Sequence, residues 1–259
     1  MDETVRDPVG SYSCVARRDP VLEVSDYMKR YGAKIAVSGI SLEVEPGDIY
    51  GFIGHNGAGK TTLIRSIVGV QGVDAGTIRV GGIDVTTDPV ATKRLISYVP
   101  DNPDIYEYMT GISYITYVAD IFGVPVDVRS ERIADLAKRL EITDALGDAI
   151  SSYSHGMKQK VVLISALVHE PKLLVLDEPF VGLDPEASFE LKKLLRELAE
   201  RGSAVFFSSH VLEVVEKLCN KVAVIRQGKL LASGPIDEVR GNESLEEVFM
   251  ELVKEKEAR

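Results

Sequence analysis

A glycine-rich segment around residue 55 has the residue types and spacing that bind phosphate. It fits the pattern G-x-x-x-x-G-K-[ST], and its members are Gly54, His55, Asn56, Gly57, Ala58, Gly59, Lys60 and Thr61, followed by Thr62. Glycines let successive backbone N–H groups curve around an anion, and the positive end of a following helix points at the same place. An apolar run precedes the segment and a helix-compatible stretch follows it, which disfavours a chance match among the 22 glycines.

Two side chains of this segment, Lys60 and Thr61, complete its chemistry. Lys60 supplies a positive charge for the β- and γ-phosphate oxygens, and the Thr61 hydroxyl is placed for Mg²⁺. His55 is better explained as a neutral loop residue than as an acid or base. The segment therefore predicts a purine triphosphate as the ligand, together with Mg²⁺.

Two acidic residues, Asp177 and Glu178, directly follow the uninterrupted apolar run 173–176. Such a run is typical of a strand buried on both faces of a parallel sheet, and ligands bind at the carboxyl ends of these strands. Asp177 would hold Mg²⁺, and Glu178 would polarise an attacking water. The alternative is a helix cap, but two acids after four apolar residues favour chemistry.

The elements that must position these residues alternate between strands and helices. Apolar runs at residues 173–176, 204–207 and 222–225 predict short buried strands, and residues 191–198 carry a leucine stripe at helical spacing. Residues 104–150 contain no good strand pattern and predict a helical insertion. This alternation predicts an α/β core with a mainly parallel sheet.

Composition and charge exclude several classes of protein. The chain has 40 acidic and 30 basic residues, a formal net charge of −10, which argues against nucleic-acid binding by phosphate neutralisation. Its two cysteines, Cys14 and Cys219, are too few for a disulfide framework and fit a reducing compartment. No apolar run approaches the ~18 residues of a membrane span, and the acidic N-terminus is unlike a signal peptide. We expect a cytoplasmic protein with no nucleic-acid partner.

From about residue 21 to 240 the chain resembles the ATP-binding subunit of ABC transporters, and most closely the bacterial export-type ABC ATPases. The resemblance depends on several motifs that occur in the family's order. Beyond the phosphate loop and the carboxylate pair, they are Tyr153-Ser154-His155-Gly156-Met157, Gly182-Leu183-Asp184-Pro185 and Ser208-Ser209-His210. The first of these corresponds to the family's Leu-Ser-Gly-Gly-Gln signature.

The resemblance assigns roles to individual residues. Glu178 is implied as the general base, and His210 as the switch histidine that contacts the γ-phosphate. Ser154 and Gly156 of the signature face the γ-phosphate held by the opposite subunit. Tyr31 falls where the family stacks an aromatic ring on adenine, a contact of about 1–3 kcal/mol by analogy with bases in nucleic acids. Tyr27 is a weaker candidate, and either tyrosine could instead be a core residue.

The sequence departs from the family pattern at two places. In the signature, His155 replaces the first Gly and Met157 replaces Gln. His155 could tune affinity for the nucleotide or simply be an exposed variant. Asp101 stands where the family usually has Gln, and an ionised carboxylate accepts but cannot donate hydrogen bonds. Asp101 could still ligate Mg²⁺, and Asn102 could substitute for the missing donor.

The fold that the resemblance implies is a P-loop NTPase of the α/β class. It has a mainly parallel sheet, an N-terminal antiparallel β layer and an inserted helical subdomain. We expect a flexible lead at residues 1–19, an ATP-binding core at 20–99 and 171–240, and a helical signature subdomain at 100–170. A C-terminal amphipathic helix is predicted at 241–259, packing on its own core or, less favourably, on another subunit or a membrane.

The resemblance also implies partners. Two such subunits, most simply a homodimer, would enclose ATP head to tail and drive an integral membrane permease from the inner face of the cell membrane. The permease would dock near Asp101, Tyr106 and Tyr108. Five aromatic residues are concentrated in this stretch: Tyr106, Tyr108, Tyr114, Tyr117 and Phe122. Their rings could equally pack the helical subdomain.

Two other functions compete with transport. A soluble ABC-type ATPase would act on ribosomes, DNA or cofactor assembly, but this chain has neither the second cassette nor the long coiled coil typical of those proteins. A phosphate-loop kinase would leave the signature at Ser154 and the histidine at position 210 unexplained. We therefore expect an ATPase subunit that powers a separate permease.

Overall fold

A computed structural model describes residues 19–255 of the 259-residue chain, so the predicted N-terminal lead lies outside the described residues except for position 19. The strands, in chain order, are β1 (Leu22–Tyr31), β2 (Lys34–Val44), β3 (Ile49–Ile53), β4 (Ala75–Val80), β5 (Ile83–Asp84), β6 (Ile96–Val99), β7 (Leu173–Asp177), β8 (Ala204–Ser209), β9 (Lys221–Arg226) and β10 (Lys229–Pro235). The helices are α1 (Lys60–Ile67), α2 (Pro89–Lys93), α3 (Gly111–Ile121), α4 (Val126–Arg139), α5 (His155–Leu167), α6 (Pro185–Glu200), α7 (Leu212–Leu218), α8 (Ile236–Arg240) and α9 (Leu245–Glu255).

The larger sheet has the strand order β10-β9-β3-β8-β7-β6, and its strands are parallel except for β10. Every residue of β3 and β7 is buried, which explains their continuous apolar sequences. Because parallel strands end at the same edge, the loops that follow β3, β6, β7 and β8 meet there. The register pairs Ile53 with Ser209 and Asp177 with Ser208, and so brings the phosphate loop, the carboxylate pair and His210 to one edge.

The smaller sheet has the order β2-β1-β4-β5 and is antiparallel throughout. Its buried residues pack with α1 and one face of the larger sheet in a single apolar cluster. Tyr27 of β1 is fully buried there, and its hydroxyl lies 2.6 Å from the Ser66 hydroxyl on α1. The predicted α/β class, with a mainly parallel sheet and an antiparallel N-terminal layer, is confirmed.

Helices occupy most of the chain between β6 and β7. Two of them begin with a capping side chain: the Thr110 hydroxyl accepts a hydrogen bond from the Ser113 amide at the start of α3, and the Ser154 hydroxyl accepts one from Met157 at the start of α5. Apolar residues of α3, α4 and α5 pack with α6 and the other face of the larger sheet. The helical insertion is therefore present, and its boundaries at 100 and 170 stay a prediction.

The C-terminal helix α9 packs against the body of the chain. Leu245 is fully buried and Phe249 is nearly so, and the Leu245 amide donates to Glu216 of α7 at 3.3 Å. Of the alternatives that the sequence left open for this helix, the structure shows packing on its own core, because the apolar side of α9 faces that core. Of the predicted range 241–259, residues 256–259 lie outside the described part of the chain.

Within residues 19–255, no helix is both long enough and apolar enough to cross a bilayer. Cys219 is a free, buried thiol, and burial raises its pKa. Cys14 lies outside the described residues.

Candidate nucleotide-binding site

The phosphate loop joins β3 to α1 in the conformation that its glycines allow. Gly57 and Gly59 have φ values of 79° and 113°, in the left-handed region that side chains disfavour. A Cβ atom on Gly59 would also lie 3.0 Å from the carbonyl oxygen of Ala36. The loop therefore requires glycine at position 59 for both its backbone angle and its packing, and it presents backbone N–H groups at the start of α1.

Lys60, the first residue of α1, is held at the loop by its own chain. Its side chain is buried, and Nζ donates to the carbonyl oxygen of Gly54 at 2.6 Å. The same Nζ lies 3.6 Å from Oε1 of Glu178. The ammonium group and the carboxylate therefore face each other at the place where phosphate would enter.

Asp177, at the end of β7, is a buried carboxylate with two hydroxyl donors. Its Oδ2 accepts a hydrogen bond from the Thr61 hydroxyl at 2.8 Å, and its Oδ1 accepts one from the Ser208 hydroxyl. Burial raises the pKa of Asp177, while the two hydroxyl groups act in the opposite direction. This arrangement joins the phosphate loop, β7 and β8 through one side chain.

Glu178 is positioned by its backbone as well as by its partners. Its φ of 49° lies in the left-handed region, and its amide donates to the Ser208 carbonyl oxygen at 3.2 Å. Its Oε2 lies 2.8 Å from Nδ1 of His210 and accepts from the His210 amide at 3.3 Å. The sequence-predicted base and the predicted switch histidine are therefore in direct contact.

A cavity of about 660 Å³ opens at this edge of the sheet. Eleven residues proposed from the sequence line it: Tyr31, His55, Asn56, Gly57, Gly59, Lys60, Thr61, Thr62, Asp101, Asp177 and Glu178. Ala58 belongs to the loop but is buried beneath it. The cavity thus unites the predicted phosphate, metal and carboxylate residues.

The two tyrosines that could stack on adenine lie in different environments. Tyr31 is half exposed at the end of β1, its hydroxyl donates to Gln71, and it lines the cavity. Tyr27 is a core residue. The stacking role of Tyr31 stays a prediction.

Four further lining residues were missed by sequence reasoning: Lys34, Ile35, Ala36 and Gln227. The first three begin β2, directly after the turn between β1 and β2, and Gln227 lies in the turn between β9 and β10. No motif marks these positions, because only the folded arrangement of the two sheets brings both turns to the cavity.

The signature residues lie elsewhere on the surface. Ser154 and His155 are exposed, and neither they nor Gly156 line the cavity beside this chain's own phosphate loop. Ser154 is the N-cap of α5, so the positive end of that helix faces outward beside it. The structure therefore separates two groups of residues that the family resemblance assigns to one nucleotide.

The aromatic stretch forms a partly exposed cluster. The Tyr106 ring lies 5.8 Å from that of Tyr108 and 6.2 Å from that of Tyr117, and all three side chains are about half exposed or more. Phe122 instead stacks on His169 with 3.7 Å between the ring centroids. A cavity of about 350 Å³, lined by both apolar and polar residues, adjoins Tyr114, whose ring lies 6.1 Å from that of Tyr106.

Comparison with known proteins identifies the family. Residues 37–181, more than half of the chain, match the ABC transporter family, and the chain belongs to it. It is therefore an ATP-binding subunit of an ABC transporter, a class of ATPases. The resemblance stated from the motifs is confirmed.

Individual relatives match most of this chain. The chain is 36% identical over 215 residues to the uncharacterized ABC transporter ATP-binding protein YdbJ of Bacillus subtilis, covering 83% of this chain and 69% of that one. It is 32% identical over 240 residues to the ABC-type transporter ATP-binding protein EcsA of the same organism, covering 91% and 97%.

Solved structures show the same fold. One described as the ATP-binding subunit of an ABC transporter superposes with a TM-score of 0.87 at 31% identity, covering 90% of this chain and 99% of that one. The cbiO1 protein of Clostridium perfringens, part of the ABC transporter complex cbiONQ, superposes with a TM-score of 0.75 at 26% identity, covering 93% and 99%.

Proposed function

We propose that this chain hydrolyses ATP as one half of a head-to-tail pair and thereby drives a membrane permease. One observation supports this most strongly. The phosphate loop, Asp177 and Glu178 share a cavity, whereas Ser154 and Gly156 are displayed outside it. A second copy, turned head to tail, would supply the signature that each cavity lacks.

Within one chain, the charges around the cavity suit a triphosphate. The N–H groups of the loop and Lys60 offset negative charge on the phosphate oxygens. Tyr31 stacks on adenine at the other end of the cavity. Glu178 acts as the general base on the attacking water, and His210, bonded to Glu178 at 2.8 Å, orients that carboxylate and contacts the γ-phosphate.

The oxygen ligands at this edge fit Mg²⁺. The Thr61 hydroxyl, Asp177 and Asp101 are hard oxygen donors that border one cavity, and they would hold the ion. Mg²⁺ keeps several waters and takes one or two carboxylates plus phosphate oxygens, which is the kind of donor set these residues would provide beside a triphosphate. When bound, it would neutralise charge that develops on those oxygens.

Closure of the pair would be driven by ATP. Only a closed pair makes both sets of phosphate contacts, so ATP stabilises that state relative to the open one. Closure also excludes bulk water from the cavity.

The permease would dock on the exposed aromatic cluster and Asp101. Tyr106, Tyr108 and Tyr117 offer rings with polar tips, which suit a surface that is wet when free and dry when occupied. The cavity next to the cluster offers a groove for the same partner. The proposed location is cytoplasmic, on the inner face of the cell membrane.

Glu178→Gln tests this proposal. Gln keeps the size of the side chain but removes the base, so ATP turnover should fall by about 10²-fold or more while ATP still binds. Light scattering should then show a stable dimer with ATP and monomer without it. Lys60→Ala is the control, because it should lose ATP binding and remain monomeric. Parental turnover by Glu178→Gln, or a monomer at saturating ATP, would contradict the proposal.

A further inference from the structure

The first turn of α5 packs very closely on the loop that follows Glu178. A Cβ atom on Gly182 would lie 2.5 Å from Cδ2 and 3.0 Å from Nε2 of His155. Gly182 also has a φ of 82°, in the region that favours glycine. The His155 ring therefore occupies the space that any side chain at position 182 would need.

Two more contacts hold the same pair of segments together. A Cβ atom on Gly156 would lie 2.8 Å from the Gly182 carbonyl oxygen, so the backbones also approach closely. Lys160, which is buried one turn further along α5, places its Nζ 2.9 Å from Oδ2 of Asp184. Asp184 caps α6 by accepting from the Ala187 amide at 2.7 Å. The signature turn is thus attached to residues 182–184 at three points.

The attached loop begins at the proposed base. The Val181 amide donates to the Glu178 carbonyl oxygen at 3.2 Å, which makes residues 178–181 a tight turn. Glu178 in turn bonds to His210. Only one short turn of chain therefore lies between Glu178 and Gly182, the residue that His155 contacts.

We propose that His155 is a positioning residue that couples the signature to the carboxylate of the same chain. Its ring presses on Gly182, so movement of the signature toward the partner's nucleotide shifts the loop that carries this chain's own Glu178. The inference rests on the proposed head-to-tail pair. The bulk of the ring performs this role, and the glycine that stands in the family pattern at this position could not.

A double-mutant cycle of ATPase activity tests the contact in the full-length chain. Gly182→Ala should lower kcat by about 20-fold, because the new methyl group displaces the ring, and His155→Ala by about fivefold. His155→Ala/Gly182→Ala should lose clearly less than the roughly 100-fold product of the two single losses, because removal of the ring makes room for the methyl group while the backbone strain of Ala at a φ of 82° remains. Losses that multiply in the double variant would overturn the proposal.

Gly202→Ala is the matched control for backbone strain. Gly202 has a φ of 93°, and no heavy atom lies within 4 Å of the position that a Cβ atom would take there. His155→Ala should therefore not improve this variant. His155→Phe should recover most of the rate that His155→Ala loses, because it keeps a ring without the imidazole nitrogens. A His155→Phe variant as slow as His155→Ala would contradict a role for ring bulk.

Nucleotide affinity and thermal stability distinguish a positioning role of His155 from a role in ATP binding or in folding. If His155 positions Glu178, His155→Ala lowers kcat while the Kd for a fluorescent ATP analogue and the melting temperature stay at parental values. A rate loss that simply follows a loss of melting temperature would overturn the proposal. If the head-to-tail pair itself does not form, the result is different. The ATPase rates per chain of the parental protein and of Gly202→Ala would then not change with protein concentration.

Discussion

At the scale of single residues, Asp177 and Glu178 are each held in place by hydrogen bonds or ion pairs with specific neighbouring side chains. Asp177 is buried between the hydroxyl groups of Thr61 and Ser208, and Glu178 lies between Lys60 and His210. Buried charges persist only when they are paired and hydrogen-bonded. The carboxylates are therefore kept in place before nucleotide or metal binds, which reduces the reorganisation needed during hydrolysis.

His169, which lies outside the site, is partly buried, and within the described part of the chain one of its ring nitrogens has no such hydrogen-bonding partner. His169 stacks flat on Phe122, and its Nε2 has no hydrogen-bond partner among residues 19–255. Burial, and then the charge of Arg132, lowers the pKa of His169 to about 4. The neutral form is the one that fits this packing.

His169→Phe should remove a pH dependence of stability. The unfolded chain protonates His169 near pH 6.5 and the folded chain only near pH 4, so stability is full above pH 6.5 and is lost as the pH falls between these values. Between pH 7 and pH 5 the parental chain should lose about 2 kcal/mol more unfolding free energy than His169→Phe. Urea unfolding at both pH values measures the difference, and equal losses would contradict it.

Site residues that belong to a recognisable sequence motif could be predicted from the sequence, and site residues outside such motifs could not. The phosphate loop, Asp177, Glu178 and Tyr31 were predicted and line one cavity. Lys34, Ile35 and Ala36 at the start of β2 and Gln227 in the turn between β9 and β10 line it too, but they belong to two different sheets. Their contribution depends on long-range packing, which local spacing does not reveal.

At the scale of elements, the predictions agreed with the structure where an element is fully buried and its sequence is therefore continuously apolar. The apolar runs at 204–207 and 222–225 lie within β8 and β9, because strands buried on both faces need continuous apolar residues. The helix α3 was not singled out. It exposes Ile112, Tyr117 and Ile121, so its apolar residues do not form a single stripe.

The C-terminal helix α9 offers a prediction at this scale. The Phe249 ring lies 5.0 Å from the His55 ring, edge to face, so α9 contacts the phosphate loop directly. Phe249→Ala should lower the unfolding free energy by about 3 kcal/mol and weaken ATP binding, because His55 loses its packing.

Met250→Ala is the matched control on the same helix. Met250 is 45% exposed, so its truncation should change stability by about 0.5 kcal/mol or less. Chemical denaturation and titration with a fluorescent ATP analogue check both variants. Indistinguishable results for Phe249→Ala and Met250→Ala would mean that α9 does not support the loop.

At the scale of the whole molecule, the fold builds two surfaces that would complete each other only in a pair. One carries the phosphate loop and carboxylates, and the other carries Ser154 at the start of α5. The order of the motifs in the sequence indicates the family, but the separation of these two surfaces is a property of the folded chain. The net charge of −10 remains an argument against nucleic acid as a partner.

The most direct test of the pair is the ATPase rate per chain as the purified protein is diluted at saturating Mg-ATP. If each active site needs residues from two chains, the rate per chain should fall steadily over about a hundredfold dilution, as dimers dissociate. A rate per chain that stays constant at every dilution, with the protein monomeric throughout, would contradict the account.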